Sequence, residues 1–339
     1  MTRPGQQRIR CASRYRSIDG FQRRRRPPRS ARRRTAAKGS SMTNQPSIGF
    51  IGLGLMGSAM VGRMQGLGYP MTVIANRSRT NVDAAVGRGA VESATSRELA
   101  GRSDIVMLCM DTSASVEARM FGEDGVIAGL RPGSLVIDFG TSLPDSTKRI
   151  AAAVAEAGAE YMDAPLGRTP SHAVEGKLNI MAAGSTEAFE RARPVFEDLG
   201  ENIFHVGPLG AGHTLKLINN FFAMTTACAM SEAFAMADQA GIERDTLYGV
   251  MSAGPLKSGM MDFVKAYAVD GKPDMLAFSV ANARKDVGYY SRMADDLGVP
   301  SVMSNAPKQA LSLAAAGGYG QRMVPEMVEF FANLFGGKK

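Results

Sequence analysis

Cysteine and histidine are scarce in this chain, whose 339 residues include three of each. Cys11, Cys109 and Cys228 show no paired spacing, and two of them lie in apolar stretches. Unpaired thiols are typical of proteins in a reducing compartment. A metal site built on cysteine or histidine needs several such ligands close together. We therefore predict a cytoplasmic protein without a metal centre.

Acidic residues are almost absent from the first 42 residues, which hold thirteen Arg and one Lys but one Asp. That segment carries a net charge of +13, whereas the whole chain carries +8, so the net charge of the remaining residues is −5. This mildly acidic part shows no sign of nucleic-acid binding. The segment also lacks the apolar run of a secretion signal and is predicted to be disordered. It is interpreted as upstream sequence translated ahead of the initiator Met42, as a targeting arm, or as a tether to nucleic acid or membrane. The first is favoured, because a targeting helix needs apolar residues between its arginines.

Short apolar runs alternate with helix-like stretches between residues 43 and 207. Each run is bounded by glycine, proline or polar clusters. The strands are predicted at 48–51, 71–75, 105–110, 134–138, 161–163, 178–182 and 203–205. Strands alternating with helices predict a doubly wound, mostly parallel α/β sheet.

From residue 208 the pattern is helical throughout. A long helix is predicted over 214–240, with Gly241 as its C-terminal cap. It contains Lys216, Asn219 and Asn220, so we interpret it as a buried helix that links two domains and not as a membrane span. Further helices are predicted at 244–253, 261–269, 277–297, 305–316 and 324–334. The predicted organisation is a disordered basic segment (1–42), an α/β domain (43–207) and an all-α domain (208–339).

A glycine-rich run joins the first predicted strand to a helical stretch. It reads Gly52-Leu53-Gly54-Leu55-Met56-Gly57, and Gly-x-Gly-x-x-Gly between a strand and a helix is the fingerprint of a dinucleotide site. Gly52 allows the tight turn, Gly54 lets the backbone approach a pyrophosphate, and Gly57 lets the helix pack on the strand. The N-terminus of the helix then binds the phosphates.

The end of the second predicted strand carries no acidic residue. NAD enzymes place Asp or Glu there to hold the ribose hydroxyls, whereas this chain has Asn76-Arg77-Ser78-Arg79. Arg77 and Arg79 can clamp the 2′-phosphate of NADP. If Arg77 instead stacks on adenine, NAD is the cofactor. We predict NADP, with NAD as the alternative.

Four further motifs follow the glycine run in order. They are Asp163-Ala164-Pro165, the run 176–181, the run 212–220 and Lys285-Asp286. Together these motifs resemble the β-hydroxyacid dehydrogenase family over residues 46–331. The resemblance implies a Rossmann domain followed by an all-α C-terminal domain, assembled as a homodimer or homotetramer. It also implies interconversion of a small β-hydroxy acid and its semialdehyde by a nicotinamide cofactor.

Lys216 is the residue that the resemblance identifies as the proton donor and acceptor. A lysine that is desolvated beside a cationic nicotinamide has a lowered pKa and can exchange a proton near neutral pH. Its predicted place at a helix start, where the helix dipole disfavours a cation, also indicates a function. Asn219 and Asn220 lie three and four residues further along the same helix face. The resemblance assigns Asn220 to substrate binding, and Asn219 is either a second substrate contact or structural.

The loop after Asp163-Ala164-Pro165 departs from the family pattern, which continues with a small residue and then Ser-Gly-Gly. Here Gly167, Arg168 and Thr169 resemble the branch that reduces 3-sulfolactaldehyde, in which the arginine meets the sulfonate. Guanidinium suits carboxylates, phosphates and sulfonates. The substrate is therefore expected to be a small anionic aldehyde or hydroxy acid. Sulfolactaldehyde, tartronate semialdehyde, and oxidation of 3-hydroxyisobutyrate or 4-hydroxybutyrate all stay open.

The resemblance also implies that Met110, Thr141 and Lys285 contact the cofactor. Gly140 stands where the family commonly has serine, and we expect it to leave more room. Two rival functions are a non-catalytic reader module and an imine reductase. Both typically lack the catalytic lysine, so Lys216 favours the dehydrogenase.

Overall fold

The computed structural model describes residues 45–76 and 79–336. The predictions made for the basic segment 1–42, for Cys11 and for Arg77 lie outside the described residues. From residue 45 onward the described residues form one compact unit. The boundary between residues 207 and 208 therefore stays a prediction.

One sheet accounts for the strands of the described residues. Its strands are β1 (Ile48–Ile51), β2 (Met71–Val73), β3 (Val91–Glu92), β4 (Ile105–Leu108), β5 (Leu135–Asp138), β6 (Glu160–Asp163), β7 (Leu166–Gly167), β8 (Leu178–Ala183) and β9 (Gly200–Gly207). They are ordered β3-β2-β1-β4-β5-β6-β8-β7, and β9 also pairs with β8. The pairs from β3 to β6 are parallel, whereas β8 runs antiparallel to β6 and β7. The strand order reverses between the neighbouring strands β1 and β4. Doubly wound sheets bind ligands at such a switch point.

Helices cover both faces of the sheet. They are α1 (Leu55–Gly66), α2 (Thr80–Gly87), α3 (Ser96–Gly101), α4 (Ser113–Met120), α5 (Val126–Gly129), α6 (Pro144–Glu156), α7 (Pro170–Glu175) and α8 (Thr186–Leu199). One apolar core includes Met60, Met64 and Phe196, and the other, on the opposite face, includes Leu99 and Met120. Strands buried on both faces are continuous apolar runs, which is why they could be found in the sequence.

The C-terminal part is helical. It contains α9 (Ala211–Gln239), α10 (Arg244–Ser252), α11 (Gly259–Ala268), α12 (Val280–Asp296), α13 (Asn305–Ala314) and α14 (Met327–Leu334), with short 3-10 turns at Pro273–Leu276 and Val324–Glu326 and a π turn at Ala315–Tyr319. Its core packs the other helices around α9. Within the described residues, no helix is long and apolar enough to cross a membrane. The predicted fold class is confirmed.

The start of α9 corrects one part of the sequence analysis. α9 begins at Ala211, three residues before the predicted start, and places Lys216 in its second turn. The unfavourable effect of a helix dipole on a cation is confined to the first turn. The dipole reasoning for a functional Lys216 was therefore wrong.

The strands β3 and β7 were also missed, because each has two residues and forms by pairing with a neighbour and not by local pattern.

Two glycines of α1 give a matched test of helix packing. A Cβ at Gly57 would overlap the carbonyl oxygen of Gly52, whereas a Cβ at Gly62 would meet one guanidinium nitrogen at 3.8 Å. Gly57→Ala should lower the free energy of unfolding by about 1–3 kcal/mol, the usual effect of overpacking. Gly62→Ala should raise it by up to about 1 kcal/mol, because alanine favours the helix. Urea denaturation of both variants measures this, and equal changes would contradict the packing.

Candidate active site

The turn between β1 and α1 has three glycines with different surroundings. Gly52 has a φ of +100°, and a Cβ there would overlap the carbonyl of Cys109. Gly57 is required by its contact with Gly52. A Cβ at Gly54 would meet no protein atom within 4 Å, so protein packing does not explain that glycine. An approaching pyrophosphate does, and this turn fits a dinucleotide.

The remaining residues of the fingerprint lie around this turn. Leu55 is exposed at the start of α1. Leu53 and Met56 are half-buried against the core that includes Met60 and Phe196. The N-terminus of α1 follows directly after β1, at the carboxyl edge of the sheet, and no side chain caps it. Free backbone N–H groups at such a helix end can bind a phosphate.

Lys285 joins the helical part to the loops at the carboxyl edge. Its Nζ donates to the carbonyl of Asp111 at 2.7 Å and to that of Thr141 at 3.3 Å. Met110, two residues after the end of β4, is half-buried and directly precedes Asp111. The structure therefore brings Met110, Thr141 and Lys285 together at the switch point. Tyr289, one turn further along α12, accepts a hydrogen bond from the Ser113 backbone at 3.2 Å and strengthens this link.

Lys216 lies half-buried on the face of α9 that also carries Asn220. Burial lowers the pKa of Lys216 from its ordinary value, the nearby Asp286 carboxylate opposes that shift, and the charge of Lys285 adds to it. Asp286 is buried, and its Oδ1 lies 2.9 Å from Lys285 Nζ. Lys216 can therefore exchange a proton at lower pH than an ordinary lysine.

Asn219 and Asn220 have different surroundings although they are neighbours. Asn220 is buried, and its Nδ2 donates to Asp286 Oδ2 at 2.6 Å. Asn219 is exposed and donates from Nδ2 to Asn220 Oδ1 at 3.1 Å. The pair orders the amide of Asn220 and places Asp286 next to Lys216. Asp286 was named in the sequence only as part of a motif, and its side-chain contacts give it a role in this cluster.

A second buried polar cluster lies where β5 and β6 end. Asp138 and Asp163 are register partners on these strands, and both are fully buried. Asp163 accepts the backbone N–H groups of Gly210 and His213, each at 2.7 Å. The His213 ring is fully buried, 2.7 Å from Thr147 Oγ1 through Nδ1 and 3.7 Å from Asp138 Oδ2 through Nε2. The cluster fixes the N-terminus of α9, and His213 precedes Lys216 by one helical turn.

Gly140 does not leave room as we expected. A Cβ at this position would lie 2.9 Å from Asp138 Oδ1 and 3.2 Å from the carbonyl of Met110. The Gly140 N–H itself donates to Asp138 Oδ1 at 2.8 Å. The glycine is therefore explained by the tight turn over a buried carboxylate, and the expectation that it leaves more room was wrong.

Arg168 is the one non-glycine residue of the described part with a positive φ, +76°. Its Nη1 donates to the carbonyl of Lys177 at 2.7 Å and forms an ion pair with Glu201. Thr169 forms hydrogen bonds to Ser171 Oγ at 2.8 Å and to His172 Nδ1 at 2.7 Å. The guanidinium thus lies against the residues where β8 and β9 begin. Gly167, which pairs with Asn179, lies in the same region.

A basic residue of α4, Arg119, reaches the chain just after β2 and was not predicted from the sequence. Asn76 is exposed, and its Oδ1 accepts a hydrogen bond from Arg119 of α4 at 3.2 Å. Arg119 also donates to the carbonyl of Ala75 at 3.2 Å. Arg79 is paired with Asp83 and Glu92. The local sequence carried no signal for Arg119, because α4 is far from β2 along the chain.

Two family models match the chain. Residues 47–207 match the model described as the NAD binding domain of 6-phosphogluconate dehydrogenase. Residues 210–331 match the model described as "NAD-binding of NADP-dependent 3-hydroxyisobutyrate dehydrogenase". Together the models cover the strands of the sheet and the helical part through α12 and α13.

Known proteins resemble the chain over most of its length. The 3-sulfolactaldehyde reductase of Escherichia coli (strain K12) is 31% identical over 279 residues, 81% of this chain and 92% of that protein. The 2-hydroxy-3-oxopropionate reductase of the same organism is 31% identical over 289 residues, 84% and 98% of the two chains. The crystal structure of 3-hydroxyisobutyrate dehydrogenase from Salmonella typhimurium has a TM-score of 0.74 at 28% identity, and covers 84% of this chain and 99% of that one.

Proposed function

Because this chain belongs to the β-hydroxyacid dehydrogenase family, we propose that it reduces a short aldehyde carrying an anionic group and oxidises the matching β-hydroxy acid. Oxidoreductase activity with a nicotinamide cofactor follows from the family. The observation that carries the proposal is Lys216, half-buried with a lowered pKa on the same helix face as Asn220. Such a lysine fits proton transfer to a carbonyl oxygen.

The chemistry divides between cofactor and protein. When bound, the nicotinamide supplies the hydride that reduces the aldehyde carbon. The Lys216 ammonium donates a proton to the aldehyde oxygen as it becomes an alcohol, and the neutral amine takes that proton back in the oxidation. Asn220 orients the substrate near Lys216, and Asp286 holds the Asn220 amide at 2.6 Å.

Three sets of residues are proposed to hold the cofactor. The Gly52–Gly57 turn supports the pyrophosphate, and Met110, Thr141 and Lys285 surround the nicotinamide end. At the position after β2 where NAD enzymes carry an acidic residue, this chain offers Asn76, which is contacted by Arg119, and this favours NADP over NAD.

The anionic group of the substrate is proposed to be held by the loop that contains Arg168 and Thr169. Arg168 is an exposed residue whose guanidinium is paired with Glu201, so it must release that carboxylate in order to bind the substrate. A sulfonate presents three oxygens and a carboxylate two. The Gly167-Arg168-Thr169 run favours 3-sulfolactaldehyde, and tartronate semialdehyde is the second candidate because it shares the same carbon skeleton.

Lys216→Ala should lower kcat for aldehyde reduction by about a hundredfold or more, the usual scale of general acid catalysis. NADP+ affinity should change little, because the lysine acts on the substrate oxygen. Stopped-flow turnover and calorimetric NADP+ binding measure the two effects. Lys148→Ala, at an exposed lysine of α6, is the matched control. Near-normal turnover in the Lys216 variant would contradict its assignment.

Asp286→Asn should move the basic limb of the pH profile of kcat/KM for reduction to lower pH. Reduction needs protonated Lys216, and rate is lost as pH rises through its pKa. The Asp286 charge raises that pKa, so removing the charge lowers it further. Lys285→Gln should shift the limb the opposite way, because the Lys285 charge lowers the pKa of Lys216. Shifts of the same sign in both variants would contradict the electrostatic account.

Arg168→Ala should lower kcat/KM for sulfolactaldehyde by roughly thirtyfold to several-thousandfold, the range for losing one partner of a buried charge pair. Glyceraldehyde, a neutral aldehyde with the same three-carbon chain, should be affected far less. Glu201→Gln should raise kcat/KM for anionic aldehydes, because it releases Arg168 from its competing carboxylate.

Equal effects of Arg168→Ala on charged and neutral aldehydes would show that the residue is structural. The substrate would then be an unspecified β-hydroxy acid, and the role of Lys216 would be unaffected.

Comparing sulfolactaldehyde with tartronate semialdehyde in a Thr169→Val variant separates the two candidate anions. A larger loss with the sulfonate is expected, since its third oxygen needs another donor.

A further inference from the structure

The arginines near the end of β2 are not equivalent, and their surroundings indicate which of them meets the cofactor. We propose that Arg119 of α4 binds the 2′-phosphate of NADP and that Arg79 does not. This inference rests on the proposed use of NADP. It assigns a cofactor-specificity role to a residue that is 43 positions from Asn76 along the chain.

Arg79 is fully engaged by two carboxylates. It donates to Asp83 from Nε at 3.2 Å and from Nη2 at 2.8 Å. It also donates to Glu92 from Nη1 at 2.9 Å and from Nη2 at 3.0 Å. Every guanidinium nitrogen has an acidic partner, and the three residues together carry a charge of −1. A phosphate dianion approaching this group would be repelled by the two acids.

Arg119 has the opposite surroundings. Its Nη2 donates to two neutral acceptors, the carbonyl of Ala75 and Oδ1 of Asn76, each at 3.2 Å. Glu117, the acid on the same helix, is engaged by Ser146 and by Arg149. No carboxylate forms an ion pair with Arg119 within the part of the chain that the structure describes. Within that part its hydrogen bonds therefore all go to neutral acceptors, unlike those of Arg79.

The position of Arg119 matches the ribose edge of the cofactor. The residue that reads the adenosine ribose in a Rossmann fold lies at the end of β2, about 20 residues after the glycine turn. Ala75 and Asn76 occupy that position, and Arg119 is fixed against both of them by Nη2. Among the described residues Nε and Nη1 have no acceptor, so both can donate to a phosphate, which suits the fork geometry of guanidinium.

A basic residue in the last turn of a helix also interacts favourably with the helix dipole, and Arg119 lies in the last turn of α4. That interaction explains a cation at the position but not its attachment to β2. An arginine side chain that pointed into solvent from the same position would interact with the helix dipole equally well. The two hydrogen bonds across to Ala75 and Asn76 place the guanidinium at the ribose edge.

The test is calorimetric titration of the full-length protein with NADP+, NAD+, 2′-AMP and 5′-AMP, without aldehyde. Arg119→Ala should weaken NADP+ and 2′-AMP at least about tenfold, the usual effect of losing a charge-assisted hydrogen bond. NAD+ and 5′-AMP should change by less than about threefold. Arg119→Lys, which keeps the charge but not the fork, should fall between wild type and alanine.

Arg79→Ala is the matched comparison, since it removes the same side chain at the same edge. It should weaken NADP+ relative to NAD+ by clearly less than Arg119→Ala does, since it removes no phosphate contact and only leaves Asp83 and Glu92 unpaired. An equal loss for NADP+ and NAD+ in Arg119→Ala, or an Arg79→Ala variant that loses NADP+ as strongly, would overturn the proposal. Turnover with aldehyde is measured separately. If Arg119→Ala does not weaken NADP+ and 2′-AMP selectively and the wild-type protein still reduces the aldehyde, the role of Arg119 is rejected and the proposed function is retained.

Discussion

The carboxylate of Asp163 joins the sheet to the helix that carries Lys216. Each of its oxygens accepts one backbone N–H from the start of α9, at Gly210 and at His213. Gly210 adopts a φ of +88° and has no side chain with which to cap the helix. A buried anion from β6 supplies the cap and also meets the positive end of the helix dipole. The positions of Lys216 and Asn220 relative to the sheet follow from this contact.

Polar contacts continue from α9 through α12 back to the sheet. Asn220 binds Asp286, and the neighbouring Lys285 binds the carbonyls of Asp111 and Thr141. The buried carboxylate and the two lysines are therefore held between the helical part and the carboxyl edge of the sheet. In such a place the charges influence one another strongly, because water screens them less than at the surface. The pKa of Lys216 thus depends on Asp286 and Lys285 of α12, and loops of the sheet hold Lys285 in place.

Much of the fold was predictable because its signals are local. Buried parallel strands such as β1 and β4 are continuous apolar runs, and the glycine turn is marked by its spacing. Lys216 and Asn220 could be found because they share one helix. Contacts between distant segments could not be derived in this way. The sequence does not indicate that Arg168 pairs with Glu201, that Arg119 reaches Asn76, or that a buried carboxylate lies under Gly140.

The left-handed backbone at Arg168 sets stability against specificity at a single position. A non-glycine residue in this conformation costs roughly 1–2 kcal/mol, and glycine would relieve that strain. Any glycine that arises there would therefore stabilise the fold while it removes the guanidinium. Random mutagenesis screened for thermostability alone would then select against the arginine. With the substrate role proposed for Arg168, only a screen that also measures turnover of a charged aldehyde would retain the arginine.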